Sequence, residues 1–139
     1  MIVLDGEVQT TISAWALAAY PHEAVGFVIG EPLPTLATVT ALVPVANLAS
    51  KPDTTFVLDP VGWFQADAVA QQTGTAVLGI IHTHPDSPAV PSIHDAQNAA
   101  NVGRSLFWLI VSVTSHGRID IRGWHWDGSE FVEDDVAWN

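Results

Sequence analysis

His82-Thr83-His84-Pro85 and, six residues later, Ser92-Ile93-His94-Asp95 gather side chains able to bind a metal into residues 82–95. Residues 77–81 read VLGII, an apolar run that predicts a buried strand. Strand side chains alternate with a period of two, so continuing that strand puts His82 and His84 on one face and Thr83 on the other. Asp95 lies eleven residues after His84, near enough to return across a short turn and add an oxygen. Two imidazoles and a carboxylate make three protein ligands and leave a tetrahedral zinc one open position for water, as in a catalytic site.

Hydrolysing an amide needs an activated water, a polarised carbonyl and a proton for the departing amine. Zinc on His82, His84 and Asp95 supplies the first two, as a Lewis acid and by lowering the pKa of bound water to about 7. The proton needs a carboxylate that is not a ligand. Glu23 is the candidate: it follows Pro21 and His22 at the mouth of a predicted strand, where it can face a cleft. Ser92 offers a hydroxyl to the oxyanion of a tetrahedral intermediate.

Each feature also has a plainer reading. Ser92-x-x-Asp95 is a capping box, with Ser at the N-cap and an acid at N3. Capping and ligation are compatible, because a capped first turn holds Asp95 rigidly. A histidine at a strand end is commonly just an exposed polar residue, and a lone Glu23 a solvated loop acid. His22 and His94 are expected to face solvent, with orientation of a neighbouring ligand as the alternative. His116 falls in a turn and His125 in a strand, and neither receives a role. The six tryptophans fit a core or an interface better than a substrate platform.

Composition narrows the chemistry. No cysteine is present, which removes disulfides, thiol nucleophiles and every cysteine-containing zinc set. Net charge is −11, with Lys51, Arg104, Arg118 and Arg122 the only Lys or Arg residues. Such a surface repels phosphate backbones, so no nucleic-acid partner is expected. A basic partner and a saline cytoplasm both fit that acidity. No apolar run reaches the roughly 18 residues of a membrane span, and Asp5 and Glu7 arrive too early for a secretory signal. The expectation is a cytoplasmic protein forming a single domain over 1–139, without a membrane partner.

The elements that must position these residues follow from periodicity and punctuation. Thr10 or Thr11 is expected to cap a first helix that buries Ile12, Trp15, Ala16 and Ala19 and ends at Pro21. Strands are expected over 24–30 and 36–45, with a turn at Glu31 to Pro34. Residues 47–55 read as loop and 56–58 as extended. Asp59-Pro60 starts a helix over 61–72, and Gly74 stops it. A strand over 77–82 precedes a proline-rich loop at 86–91. Ser92 opens a helix to about Val102, and strands over 106–114, 118–126 and 131–132 complete an interspersed α+β pattern, a mixed sheet with flanking helices.

The 82–95 run resembles the signature of the JAMM (MPN-plus, Mov34/PAD-like) zinc metalloproteases, and Pro21-His22-Glu23-Ala24-Val25-Gly26 matches that family's Pro-x-Glu-x-x-Gly setting. The resemblance implies one zinc per chain on His82, His84 and Asp95, with Glu23 as general acid/base and Ser92 as oxyanion stabiliser. Asn47, Phe56, Asp59, residues 108–112 and Asp127-Gly128 also resemble the family, so the likeness covers nearly the whole chain. It implies a curved mixed β-sheet flanked by helices, similar to cytidine deaminases. The chain looks most like the short prokaryotic members. This implies a protein or peptide substrate, with cleavage after the C-terminal Gly-Gly of a ubiquitin-like or sulfur-carrier protein as the leading candidate. A phage-tail or cell-wall processing peptidase and a non-catalytic scaffold are the alternatives. Val25 stands where many bacterial relatives carry cysteine, which leaves the subfamily open, and the oligomeric state is not fixed by sequence.

Overall fold

The computed structural model describes residues 1–34 and 36–139. In chain order the elements are β1 (Ile2–Leu4), α1 (Gly6–Ala19), β2 (Val25–Pro32), β3 (Ala37–Val45), α2 (Val61–Thr73), β4 (Ala76–Pro85), α3 (Ile93–Asn101), β5 (Phe107–Val113), β6 (Ile119–Trp126), β7 (Phe131–Asp134) and β8 (Val136–Trp138). The strands form one mixed sheet in the order β7-β6-β5-β4-β2-β3-β1-β8. It curls until its outer strands approach each other. A Cβ on Gly123 of β6 would lie 2.7 Å from Ile2 and 2.9 Å from Val136, and the Ile2 N–H donates to the Asp135 carbonyl at 2.8 Å. The fold is α+β, a nearly closed curved sheet with three helices around it. Among the described residues no helix is long and apolar enough to cross a membrane.

Each face of the sheet has its own core. On one, Val8, Ile12 and Ala16 of α1 pack against Ile2, Leu4, Val28, Ile81, Leu109 and Val111. On the other, Ala66 of α2 and Ala99 of α3 pack with Val25, Phe27, Phe56, Ile80 and Trp108. β4 divides its side chains between the two, sending Ile81 to the α1 side and Ile80 to the α2/α3 side. The period of two then delivers His82 and His84 to the α2/α3 side.

Local physics accounts for the differences from the sequence reading. Asp5, not Thr10 or Thr11, caps α1; its carboxylate accepts from the Glu7 N–H at 3.0 Å. Both threonines lie inside the helix, where their hydroxyls bond back to the carbonyls of Gly6 and Glu7, a use open to mid-helix hydroxyls. Glu31 and Pro32, expected in a turn, extend β2 and pair with Thr38 and Ala37. β1 and β8 were not anticipated. Both are three residues long, too short for a periodic signal, and they form by parallel pairing with each other and of β1 with β3. At α2 the N-cap is Pro60, which makes no side-chain cap bond, and not Asp59 as Asp59-Pro60 suggests; Asp59 accepts from the Val61 N–H at 3.0 Å from one residue further out, and Gly74 stops the helix as expected, left-handed with φ 67°.

β2 changes register near Gly30, where the backbone of β3 comes very close: a Cβ there would sit 1.9 Å from the Thr38 carbonyl oxygen. That oxygen belongs to the backbone and cannot rotate away. Gly30→Ala is therefore expected to destabilise the protein by about 3 kcal/mol or more, read as a lowered urea midpoint with an unchanged slope.

Candidate metal centre

The site forms where β4 runs out of the sheet. His82 pairs with Val25 of β2 and with Ile110 of β5, and His84 pairs with Ser112 of β5. α3 begins just beyond, on the same side. Ser92 Oγ accepts from the Asp95 N–H at 3.1 Å while the Ser92 N–H donates to Asp95 Oδ2 at 2.9 Å, a reciprocal capping box. Capping therefore aims the Asp95 carboxylate back at the strand end.

Donor atoms of three side chains converge there. His82 Nε2 and His84 Nε2 are 3.1 Å apart. Asp95 Oδ1 is 3.1 Å from His82 Nε2, and Asp95 Oδ2 is 3.1 Å from His84 Nε2. Zinc ligand distances of about 2.0–2.2 Å put neighbouring tetrahedral donors about 3.3–3.5 Å apart, so a few tenths of an ångström of opening admits the ion. The chemistry of the donor set agrees. His84 Nδ1 lies 2.8 Å from the Pro88 carbonyl, which can only accept. Nδ1 must carry a proton there, so Nε2, which bonds Asp95 Oδ2 at 3.1 Å in the metal-free protein, is the nitrogen that can shed its proton and turn a lone pair to an ion.

Glu23 completes the arrangement from the segment before β2. One ligand atom each from Glu23, His82 and His84 lie within 4.8 Å of one another, all buried. The backbone around Glu23 is tied at several points. Its N–H donates to the Pro52 carbonyl at 2.6 Å, and its carbonyl accepts from Asn47 Nδ2 at 2.8 Å. The next N–H, of Ala24, donates to Thr83 Oγ1 at 2.9 Å. Glu23, His84, Ser92, His94 and Asp95 line a cleft of about 540 Å³ with Asp53 and Val90 at its rim. His82 has no exposed surface and lies beneath it.

Residues 6–127 match the family described as prokaryotic homologs of the JAB domain. The chain belongs to the prokaryotic JAB family. It is 32% identical over 117 residues to a desampylase from Haloferax volcanii, covering 84% of this chain and 78% of that protein. It is 31% identical over 86 residues to a probable TtuB-protein conjugate cleaving protease from Thermus thermophilus, covering 62% of this chain and 55% of that one. A tail tip assembly protein K from Escherichia phage N15 is 37% identical over 102 residues, 73% of this chain and 37% of the phage protein. Among solved structures, a protein from Desulfitobacterium hafniense superposes with TM-score 0.88 at 27% identity, covering 100% of this chain and 93% of its own. A JAB1/MPN domain protein from Archaeoglobus fulgidus shares the fold, with TM-score 0.55 at 20% identity over 96% of this chain and 97% of its own.

Electrostatics in this JAB site separate the two carboxylates. Burial pushes the Glu23 carboxyl up to about 7, with the Asp95 charge adding to the rise and His84 opposing it. Burial acts the same way on Asp95, but hydrogen bonds from His82 and His84 and the Ser92 N–H overcome it and hold Asp95 well below the carboxylate range. Burial lowers His82. For His84 burial is outweighed by the Asp95 and Pro88 hydrogen bonds, and its pKa is raised. One acid is thereby set apart as permanently ionised, the other as able to exchange a proton near neutrality.

Several residues that hold the JAB site were not singled out by residue chemistry. Asn47 was noted only for its likeness to the family. Its amide also donates to the Thr55 carbonyl, and its oxygen accepts from the Ala49 and Val57 N–H groups, so one side chain fastens the 47–57 loop to Glu23. Thr83 was expected only to face away from the histidines, yet its hydroxyl ties β4 to Ala24. Phe56 stacks on His82 with ring centroids 4.7 Å apart. His94, expected in solvent, is half-buried and donates from Nε2 to the Phe56 carbonyl at 3.1 Å. His22 is exposed and pairs with Asp53. Apart from the bonds of Asn47 within its own loop, these contacts join residues 24–59 positions apart in sequence, and no local pattern announces them.

Proposed function

We propose that this JAB-family chain is a zinc-dependent metallopeptidase or isopeptidase, holding one zinc on His82, His84 and Asp95. Its substrate is a ubiquitin-like or sulfur-carrier protein, released by a cut after a C-terminal Gly-Gly. Residues 1–139 work as a single JAB/MPN-plus domain in the cytoplasm. The observation that carries the reading is the convergence of three side chains, His82, His84 and Asp95, whose donor atoms meet at 3.1 Å, with the buried Glu23 carboxylate beside them. The names of the Haloferax and Thermus relatives support a protein-conjugate substrate.

When bound, zinc supplies Lewis acidity and a lowered pKa for the attacking water. The chain's residues supply the rest. Glu23 takes a proton from that water onto a carboxylate oxygen and passes it to the leaving nitrogen. Burial raises this carboxyl toward neutrality in the metal-free protein, which makes it a stronger base than a solvated carboxylate. Ser92 Oγ accepts the Asp95 N–H through a lone pair, which leaves its own hydroxyl proton to donate to the oxygen of the scissile carbonyl. Asp95, held ionised, balances the charge of the cation.

The test is incubation of zinc-loaded protein with small ubiquitin-like proteins extended beyond Gly-Gly, read by intact mass. The expected product ends at Gly-Gly, disappears with chelator and returns with added zinc. A second reading, a tail or cell-wall processing peptidase, draws on the phage relative. Inertness toward every Gly-Gly extension combined with cleavage of cell-wall peptides would favour it. A scaffold without chemistry would be indicated by protein that binds no zinc and ignores chelator. The intact donor set weighs against that.

A further inference from the structure

Residues 86–91 join β4 to α3 and so connect the histidine ligands to the aspartate. Pro88 and Pro91 deny this segment amide donors at two positions, and its carbonyls are instead taken in succession by side chains of the sheet. Ser112 Oγ of β5 donates to the Ser87 carbonyl at 2.6 Å. His84 Nδ1 donates to the Pro88 carbonyl at 2.8 Å. Trp124 Nε1 of β6 donates to the Ala89 carbonyl at 3.2 Å, and Ala89 is buried. The segment is also fixed at its start, where the Asp86 N–H donates to the Val113 carbonyl at 2.8 Å.

We propose that Ser112 and Trp124 are positioning residues of the metal centre: holding the carbonyls on either side of Pro88, they keep the Pro88 oxygen seated on His84 Nδ1. The consequence is a tautomer. With Nδ1 held protonated, Nε2, which faces His82 and bonds Asp95 Oδ2, is the nitrogen left to give its lone pair to an ion. If the Pro88 carbonyl moves by about an ångström, that bond loses its distance and angle, and Nδ1 gives up its proton in preference to Nε2, whose proton stays hydrogen-bonded to Asp95 and blocks the donor atom. Neither residue reaches the cleft lining, so both act through the 86–91 segment.

The experiment compares Ser112→Ala, Trp124→Phe and the double variant with wild type. Phe keeps a ring in the half-buried Trp124 position and removes only the indole donor. The inference rests on the metal-centre reading for its effect on zinc but not for its effect on the tautomer, so two readouts are taken. The first is the ¹⁵N shift of the His84 ring nitrogens in metal-free protein. The second is the zinc dissociation constant by chelator competition. Wild type is expected to keep Nδ1 protonated across a pH titration, the double variant to populate a form with the proton on Nε2 alone. Zinc binding should weaken about 3- to 10-fold in each single variant and about 10- to 100-fold in the double, the range for groups that orient a ligand. Ser112→Thr, which restores a hydroxyl, should recover the loss from Ser112→Ala.

Thr73→Ala is the control for a general loss of stability; it removes hydroxyl bonds to the Val69 and Ala70 carbonyls at the end of α2. A double variant with wild-type tautomer and wild-type affinity would overturn the proposal. So would a loss of affinity that Thr73→Ala reproduces at equal loss of Tm. If wild type binds no zinc, the metal reading fails, and the ¹⁵N comparison still decides the tautomer claim. If Trp124→Phe does not fold, Ser112→Ala decides it alone by the same two measurements.

Discussion

Glu23→Gln is expected to retain one zinc per chain while losing about 10²- to 10⁴-fold in kcat, the usual contribution of a positioned general acid/base. Gln is nearly isosteric and keeps the backbone bonds that Pro52 and Asn47 make to this residue, so the loss isolates proton transfer from folding. A second effect follows from burial. In the metal-free protein Glu23 has its pKa raised from 4.5 to about 7. A carboxyl raised on folding gives its full stability below the unfolded value and loses it as pH climbs through the folded one. Metal-free wild type should therefore weaken between about pH 4.5 and 7 from this residue, and Glu23→Gln should not. Thermal melts should coincide near pH 4 and diverge by a few degrees at pH 8, with the variant higher. A variant with full hydrolysis would remove Glu23 from the chemistry; coincident melts at pH 8 would show that its carboxyl is not under strain from burial. The signature sought is lower activity with higher metal-free stability, as expected where a function-bearing group is kept in an unfavourable environment.

What could be read from the chain alone divides along physical lines. β4 and α3 were legible because each is specified locally. An apolar run followed by alternating histidines gives a strand with two donors on one face, and Ser92-x-x-Asp95 gives a capped helix start; both are geometries of adjacent residues. α2 was legible for the same reason, through Asp59, Pro60 and Gly74. β1 and β8 were not, because Ile2–Leu4 and Val136–Trp138 acquire extended structure by pairing across the length of the chain. The overrun of β2 through Pro32 depends on Gly30 admitting the Thr38 carbonyl, a contact visible only once β3 is beside it. In the site, the donor types and their sequence spacing pointed to a shared centre, but the network that holds it was hidden. Asn47 fastening Glu23, Thr83 bonding Ala24, and Ser112 and Trp124 on the carbonyls of Ser87 and Ala89 are all long-range pairings of polar groups. Polar side chains in loops and at strand ends have many possible partners, and sequence does not rank them.

Asp95→Asn should have the widest consequences of any conservative change in the chain. The amide keeps the size of the carboxylate and an oxygen able to accept the Ser92 N–H, so α3 should remain capped. It removes the charge that faces two imidazoles at 3.1 Å. Loss of groups that merely orient a ligand costs about 10- to 100-fold in metal affinity; loss of an anionic ligand should cost about 1000-fold or more, and hydrolysis should fall to background at ordinary zinc concentrations. The metal-free protein should respond to pH in a defined window. Asp95 is depressed below its ordinary 3.8 on folding, so its contribution is present above that value and lost as pH falls through the folded one. His84 is raised above 6.5, chiefly by the Asp95 bond once burial is overcome, so its contribution is present below 6.5 and lost as pH rises through the higher folded value. The pair stabilises most where both are charged, between about pH 4 and the histidine range. His82 works against it, since burial lowers its pKa and the unfolded chain protonates first as pH falls. The stability gap between wild type and Asp95→Asn should therefore be largest near pH 5–6 and shrink on both sides, measured by urea unfolding in chelator across pH 3 to 9. A gap that is flat with pH would mean that Asp95 is held by its cap and not by the imidazoles, and the convergence of the three side chains would then owe nothing to their charges.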